Sequence, residues 1–336
     1  MLDESFFSIL AAGFVVGIVV GLTGMGGGAL MTPALIFLGV GDASTVVTAD
    51  LTAAAVSRTA GAVTHAREGS PNLTLAKWLV IGSVPCAFLG PWLLHRVASD
   101  TASVNRLLME SIGWALLFAA ATYAWRLYVN LRRVRRGAPE ADPDPVIRPM
   151  ATLVVGAVGG LLVGVTSVGA GSVIMVALLT LYPGLSPVRL VGTDLVQAVP
   201  LVLAAAISNI AINGLDWAVL IPLVIGSTPG TVLGSRLAPR MPQSLMRRGI
   251  VVVLTMSAIA LLDKSGWGPL DADKTHPLLI VMIGLATVVL VPVLWGVLRR
   301  TEGLPVFGSP TVAELDNPAY VPGIVGMRKV EPDEAS

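Results

Sequence analysis

Long apolar runs, separated by short polar segments, dominate the pattern of this chain. Several of them exceed the about 20 residues that an α-helix needs to cross about 30 Å of hydrocarbon. The pattern therefore predicts an all-α polytopic membrane protein rather than a large soluble core. The runs lie roughly at residues 6–22, 29–40, 44–66, 75–95, 104–129, 150–168, 172–183, 190–212, 216–238, 247–262 and 277–298.

Composition agrees with this pattern and excludes several classes of function. Charged residues make up 13% of the chain, against about 25% in soluble proteins, and the mean hydropathy is +0.80. The net charge of +1 gives no general electrostatic reason to bind nucleic acid. No nucleic-acid partner is therefore expected, and the chain is expected to lie in the lipid bilayer. The sequence leaves open whether it forms a homo-oligomer.

The chain carries an internal repeat at an almost constant offset. The segment Val20–Gly28 reads VGLTGMGGG, and the segment Val163–Gly171 reads VGVTSVGAG. Asp50 and Asp194, each followed by leucine, occupy equivalent positions further along. A glycine-interrupted apolar segment at corresponding places in two halves is the best sequence indication of a transporter's binding site.

In each half the glycine turn separates two apolar segments that we expect to be too short to cross the membrane singly. These are 6–22 and 29–40 in the first half, and 150–168 and 172–183 in the second. Each pair forms either one broken span or a re-entrant, V-shaped hairpin that returns to its starting side.

The basic residues favour the returning hairpin. Placing the Arg-rich segment 132–136 in the cytoplasm then puts most other basic loop residues on the same side, as the positive-inside rule requires. The exceptions are Arg96, Arg106, Lys264 and Lys274. This arrangement gives about seven full spans plus two hairpin pairs, with the second repeat inverted relative to the first.

The same reading divides the chain into four regions. We predict a first transmembrane repeat over 1–131, a cytoplasmic basic and Pro-rich linker over 132–149, and a second transmembrane repeat over 150–300. A polar cytoplasmic tail follows over 301–336.

The glycine turns are the first candidate binding positions. Glycine lets a ligand approach the main chain, and the free amides of a helix N-terminus favour anions. Close helix packing is the alternative explanation of such glycines. The predicted substrate contacts are Thr23, Gly24, Gly26, Gly27 and Gly28 in the first half, and Thr166, Ser167, Gly169, Gly171 and Ser172 in the second.

Three charged residues inside apolar runs complete the predicted site. Arg58 lies in the middle of the run 44–66. Placing an arginine at this depth of a membrane costs free energy, so such a residue usually has a function. It would bind the anion or pair with an acidic group. Asp50 and Asp194 are candidates for carrying a coupled proton, with helix capping as the alternative.

These residues resemble a known family. The segment GLTGMGGG followed by Pro33, together with the pattern GSxPxxxxG at Gly82–Gly90 and Gly226–Gly234, resembles the TauE/SafE sulfite exporter family, also called TSUP (4-toluene sulfonate uptake permease-like) transporters. The resemblance covers about residues 6–300. It implies a secondary transporter of sulfur-containing anions such as sulfite, thiosulfate or organosulfonates in the bacterial inner membrane.

The second copy departs from the family pattern. It has Ser167, Ala170 and Val176 at the positions of Gly24, Gly27 and Pro33. Whether both halves contact the ligand equally is therefore open. We expect the first half, which has the richer glycine turn and the deep arginine, to hold the anion more tightly.

The resulting hypothesis is a proton- or ion-coupled secondary transporter of a small sulfur-containing anion, with export as the expected direction. A carrier of carboxylates or other organic anions on the same scaffold is one alternative, and a non-transporting membrane scaffold or sensor is another. An enzyme is not expected, because the chain has no P-loop, GxSxG, HExxH or CxxC motif. No cofactor or metal is predicted, since the three histidines are scattered and Cys86 is the only cysteine.

Overall fold

The computed structural model describes the ranges 4–23, 28–65, 71–98, 100–136, 146–168, 173–182, 187–237, 243–266 and 276–301, together with residues 185 and 303. Every regular element among these residues is an α-helix, which confirms the predicted all-α class. The helices are α1 (Glu4–Thr23), α2 (Gly28–Phe37), α3 (Ala43–His65), α4 (Leu73–Val97), α5 (Thr101–Arg136), α6 (Pro149–Thr166), α7 (Val173–Leu181), α8 (Pro187–Asn213), α9 (Trp217–Leu237), α10 (Gln243–Lys264) and α11 (Pro277–Thr301).

Six segments of the described helices are long and apolar enough to cross a membrane, so the chain is a multi-pass membrane protein. They are Leu73–Val97, Thr101–Thr122, Pro149–Thr166, Gly192–Asn213, Trp217–Leu237 and Leu278–Thr301. Helix α3 does not meet this criterion although it has 23 residues. It carries Asp50, Arg58 and several threonines, which lower its hydropathy.

The lengths of the paired helices correct one expectation. Helices α1 and α6 have 20 and 18 residues, so at 1.5 Å per residue they extend about 30 and 27 Å. Helix α6 is by length and composition a candidate span, so it is not too short to cross singly. Helices α2 and α7, with 10 and 9 residues, are short, and the apolar segment Phe6–Leu22 of α1 is also shorter than a candidate span.

The first helix of each repeat packs against the fourth helix of the other repeat. Helix α1 lies along α9, where a Cβ atom added to Gly17 would stand 2.6 Å from the carbonyl oxygen of Ser227. Helix α6 lies along α4, where a Cβ atom on Gly156 would stand 2.5 Å from the carbonyl oxygen of Leu79. Glycine is required at these positions because the two backbones touch.

Both of these packed pairs are parallel. Residue numbers rise together along each contact, from Gly13 beside Leu223 to Gly21 beside Thr231, and from Gly156 beside Leu79 to Gly164 beside Ala87. Exchanging the two repeats converts one pair into the other, so these two contacts between the halves are equivalent.

The two short helices are buried at the centre of the protein. Almost every residue of α2 is buried from Gly28 to Ile36, and α7 is buried from Val173 to Leu179 except at Ala177. A helix that is apolar on all sides belongs inside a protein or a membrane. Helix α2 packs on α1, α3 and α10, while α7 packs on α5, α6 and α8.

The predicted boundaries overlap the helices at the centre of the chain. Helix α5 continues to Arg136, so residues 132–136 of the predicted linker are helical, and α6 begins at Pro149. At the other end, α11 packs mainly against α10. It leaves a long apolar surface exposed, as expected for a helix that faces lipid.

Candidate functional site

Asp50 is the centre of the candidate site. This residue of α3 is 2% exposed and accepts two side-chain hydrogen bonds. Thr32 Oγ1, from α2, lies 2.6 Å from Asp50 Oδ2, and Ser167 Oγ lies 2.9 Å from the same oxygen. Because Thr32 belongs to the first repeat and Ser167 to the second, one carboxylate joins both halves.

The two glycine turns meet beside this carboxylate. Gly28, the first residue of α2, lies against Ser167, at the end of α6. A Cβ atom on Gly28 would overlap the Ser167 carbonyl oxygen and stand 2.7 Å from Ser167 Oγ. Any residue larger than glycine at position 28 would therefore push the two turns apart.

Ser167 adopts a backbone conformation that few residues tolerate. Its φ of 60° and ψ of −1° are left-handed, and it is the C-cap of α6, with its N–H donated to the Val163 carbonyl. Among the described non-glycine residues it alone has a positive φ. The neighbouring Thr166 donates its hydroxyl to the Leu162 carbonyl at 2.6 Å and accepts from the Val168 N–H at 3.1 Å.

The second carboxylate, Asp194, has different surroundings. It is 7% exposed on α8 and accepts a hydrogen bond from Gln197 Nε2, which lies 3.0 Å from Asp194 Oδ1. The half-buried guanidinium of Arg58 interacts electrostatically with Asp194 and Asp50. These two carboxylates belong to different repeats.

The equivalent positions in the repeat explain why the carboxylates differ. The two hydroxyl donors of Asp50 are Thr32 and Ser167, and at the repeat offset their counterparts are Met175 and Gly24. Neither counterpart has a side-chain donor. The repeat is therefore symmetric in its acidic residues and asymmetric in the groups around them.

A second polar network links α8 to α3 and α6. Asn209 donates to the carbonyl oxygens of Gly164 and Ala205, both at 2.9 Å. Asn213 contacts Asn209 Oδ1 at 3.3 Å and Thr48 Oγ1 at 3.4 Å. These amides hold the end of α6, and thus Ser167, against α8.

The structure brings together Gly28, Asp50 and Ser167 of the predicted site, and Arg58 interacts electrostatically with Asp50 and Asp194. Thr166 is buried next to Ser167, and its hydroxyl is engaged by its own helix. The predicted positions Gly24, Gly26, Gly27, Gly169, Gly171 and Ser172 lie outside the described residues, as does the side chain of Thr23.

Sequence reasoning missed Thr32. It stands four residues after Gly28 and thus on the same face of α2. That spacing is the signal that could have identified it, because Gly28 was already placed at the site.

Comparison with known proteins gives one family. The model of a family described as "Sulfite exporter TauE/SafE" matches residues 9–261. This match covers both repeats from α1 to α10.

Similar curated proteins are bacterial proteins named as probable membrane transporters. "Probable membrane transporter protein YjnA" of Bacillus subtilis is 33% identical over 255 residues, which cover 76% of this chain and 99% of that protein. "Probable membrane transporter protein YdhB" of the same organism is 23% identical over 76% of this chain and 99% of its own. A "Probable membrane transporter protein" of Xylella fastidiosa is 26% identical over 81% of this chain and 100% of its own. No solved structure matches the chain.

Proposed function

Because the chain belongs to the TauE/SafE sulfite exporter family, we propose that it is a secondary transporter of a small sulfur-containing anion. Sulfite, thiosulfate and organosulfonates are the candidate substrates, and export across the bacterial inner membrane is the proposed direction. The observation that carries the proposal is the meeting of the two glycine turns at Gly28 and Ser167, beside Asp50 and within the electrostatic reach of Arg58.

The anion is proposed to bind at the buried start of α2. The first amides of a helix have no partner within it, and they favour an anion together with the helix dipole. Arg58 supplies the positive charge and a planar set of donors suited to an oxyanion. Because Gly28 has no side chain, the main chain at the start of α2 can lie against Ser167 of the second half.

Alternating access is proposed to follow from an inverted repeat. The parallel pairs α1–α9 and α4–α6 support it, because an exchange of the two repeats converts one pair into the other. An inverted arrangement requires α1 to run opposite to α4, which is the order that a returning α1–α2 pair produces. With the same topology, the tail 301–336 is proposed to lie in the cytoplasm.

Coupling is proposed to involve the carboxylates. An anion that approaches Arg58 also comes close to Asp50 and Asp194. The negative charges of these two carboxylates repel it. A proton or other cation on one carboxylate removes that repulsion. Transport of the anion is therefore expected to depend on a cation gradient.

The experiment is anion flux into liposomes that contain the purified protein. Sulfite, thiosulfate and a sulfonate should be carried, and Arg58→Ala should reduce the flux at least about tenfold, since it removes a charged hydrogen bond worth about 1.5–3 kcal/mol. Arg106→Ala is the matched control, because the Arg106 side chain is 59% exposed on α5 and pairs with Glu110 four residues away.

Three results would contradict the proposal. They are an absence of flux for every anion, equal flux for Arg58→Ala and wild type, and full flux after collapse of all cation gradients. A preference for carboxylates over every sulfur-containing anion would instead support the alternative function, a carrier of carboxylates or other organic anions.

A further inference from the structure

A cavity of about 480 Å³ lies where α8 ends and α9 begins. Its wall combines hydroxyl, amide, carboxylate and indole groups with the main chain of the turn. The lining residues are Thr45, Asn213, Gly214, Leu215, Asp216, Trp217 and Ala218. The candidate spans Gly192–Asn213 and Trp217–Leu237 end and begin at this turn, and Trp217 is 63% exposed, as expected for an indole at a membrane surface. The cavity therefore faces water on one side of the membrane.

Asn213 separates this cavity from the interior of the protein. The residue lies in the cavity wall, and its Nδ2 contacts Thr48 Oγ1 on α3 at 3.4 Å and Asn209 Oδ1 on α8 at 3.3 Å. Thr48 is 1% and Asn209 is 3% exposed. The amide of Asn213 therefore stands between the cavity and two buried polar side chains.

Both contacts of this amide lead to the candidate site. Along α3, Asp50 follows Thr48 by two residues, which is about 3 Å further along the helix axis. On α8, Asn209 donates to the Gly164 carbonyl at 2.9 Å, three residues before Ser167. The hydroxyl of Ser167 in turn donates to Asp50. Polar groups thus continue from the membrane surface to the site where the two halves meet.

From this continuity we infer that the cavity is one mouth of the substrate path and that Asn213 is the gate that closes it in this structure. The inference rests on the proposed function for its substrate, a small oxyanion. Amides and hydroxyls donate hydrogen bonds without carrying a charge, and bonds to a charged donor are about twice as strong as neutral ones. An oxyanion would therefore pass the groups at the mouth and be held at Arg58.

The contacts of Asn213 are suited to opening. Both are longer than the about 2.9–3.0 Å that is most common for such bonds, whereas the two bonds donated by Asn209 measure 2.9 Å. Asn213 is the last residue of α8, and Gly214 follows it with a φ of 76°. Its amide can therefore leave Thr48 without a break inside the helix, while Asn209 keeps its bonds to the main chain.

Asp216 is the acidic residue of the cavity wall. Its Oδ1 accepts the Ala218 N–H at 2.8 Å, in the first turn of α9. A negative charge at the mouth raises the free energy of an anion that enters there. Asp216→Asn should therefore lower the thiosulfate concentration that half-saturates flux from this side of the membrane.

The main test uses the full chain in liposomes with Cys86→Ser, which leaves the chain without a cysteine. One cysteine is then introduced, as Asn213→Cys or Thr45→Cys, and a membrane-impermeant maleimide that carries a sulfonate group is added from one side at a time. Both variants should be labelled from the same single side, and the label should abolish thiosulfate flux. Ile207→Cys is the matched control and should stay unlabelled, because Ile207 is 58% exposed within the candidate span of α8.

Two small substitutions separate a gate from a structural contact. Asn213→Ala removes the gating amide and should retain or increase thiosulfate flux. Asn213→Asp has nearly the size of asparagine but places a negative charge in the path, and it should lose flux. A structural contact predicts instead that the two variants lower the flux alike.

The inference is overturned if the maleimide labels neither Asn213→Cys nor Thr45→Cys, or if the labelled proteins carry thiosulfate as the unlabelled ones do. Equal flux for Asn213→Ala and Asn213→Asp would also overturn it. If one cysteine variant does not fold, the other decides. Labelling needs no substrate, so one-sided labelling of a protein that carries no sulfur anion would support the mouth and contradict the proposed function.

Discussion

Ser167 allows the contact between the two halves to be measured with a pair of substitutions. Ser167→Ala removes the hydroxyl that donates to Asp50 at 2.9 Å and keeps the left-handed backbone. Ser167→Gly removes the same hydroxyl but also relieves the steric cost of a Cβ atom at φ of 60°. The two variants therefore differ in the Cβ atom, which carries the backbone strain of the left-handed conformation.

The magnitudes follow from these two effects. A hydrogen bond to a charged acceptor contributes about 1.5–3 kcal/mol to stability, and Asp50, at 2% exposed, leaves little room for water to replace the donor. A side chain in the left-handed region costs roughly 1–2 kcal/mol. Ser167→Ala should therefore be destabilised by about 1.5–3 kcal/mol, and Ser167→Gly should be about 1–2 kcal/mol more stable than Ser167→Ala.

The assay uses Cys86, the only cysteine. It is half-buried in α4, so a thiol-reactive fluorophore reports thermal unfolding in detergent. The expected order of melting temperatures is wild type, then Ser167→Gly, then Ser167→Ala. Ser57→Ala is the control and should match wild type, because Ser57 is exposed and its hydroxyl donates to the Ala54 carbonyl of its own helix. A melting temperature of Ser167→Ala equal to that of wild type would refute the importance of this hydrogen bond.

Two further predictions use the same unfolding assay. Gly160→Ala should destabilise by about 1–3 kcal/mol through overpacking, because a Cβ atom there would stand 2.6 Å from the Ser83 Cα. Gly249→Ala, which has nothing within 4 Å, should instead stabilise α10 by about 0.5–1 kcal/mol, and equal effects of the two substitutions would contradict the packing argument. Lys264→Met should cost about 0.3–1 kcal/mol, because Lys264 Nζ lies 3.1 Å from the Ile36 carbonyl at the end of α2. A smaller effect than that of the exposed control Lys77→Met would contradict this role.

Hydropathy predicted most of the helices because helices that lie in lipid consist of long runs of apolar residues, which are easily recognised in a sequence. The predicted run 150–168 corresponds to α6, whose 18 residues form a candidate span, and the error was to regard this run as too short to cross the membrane. The sequence pattern ended this run at a glycine turn, and nothing in it distinguished a short segment from a full one. The criterion also fails for α3, because the polar residues that form the site reduce its hydropathy.

The sequence predicted the charged residues of the candidate site but not the hydrogen bonds between its side chains. Asp50, Asp194 and Arg58 stand out because a charge in an apolar run is rare. Thr32 does not stand out, since a threonine bonded within its own helix looks the same in sequence. Its role depends on the contact between Gly28 and Ser167, which joins residues 139 positions apart by their numbers (167 − 28).

The glycine contacts of α1 with α9 and of α4 with α6 determine which parts of the protein can move together. Backbone packed on backbone has no side chains that could change rotamer and let one helix slide along the other. Each of these pairs should therefore move as one body, although its two helices come from different repeats. The unit that moves during transport would then consist of helices from both halves. The boundaries of the moving units would therefore differ from the boundaries of the sequence repeats.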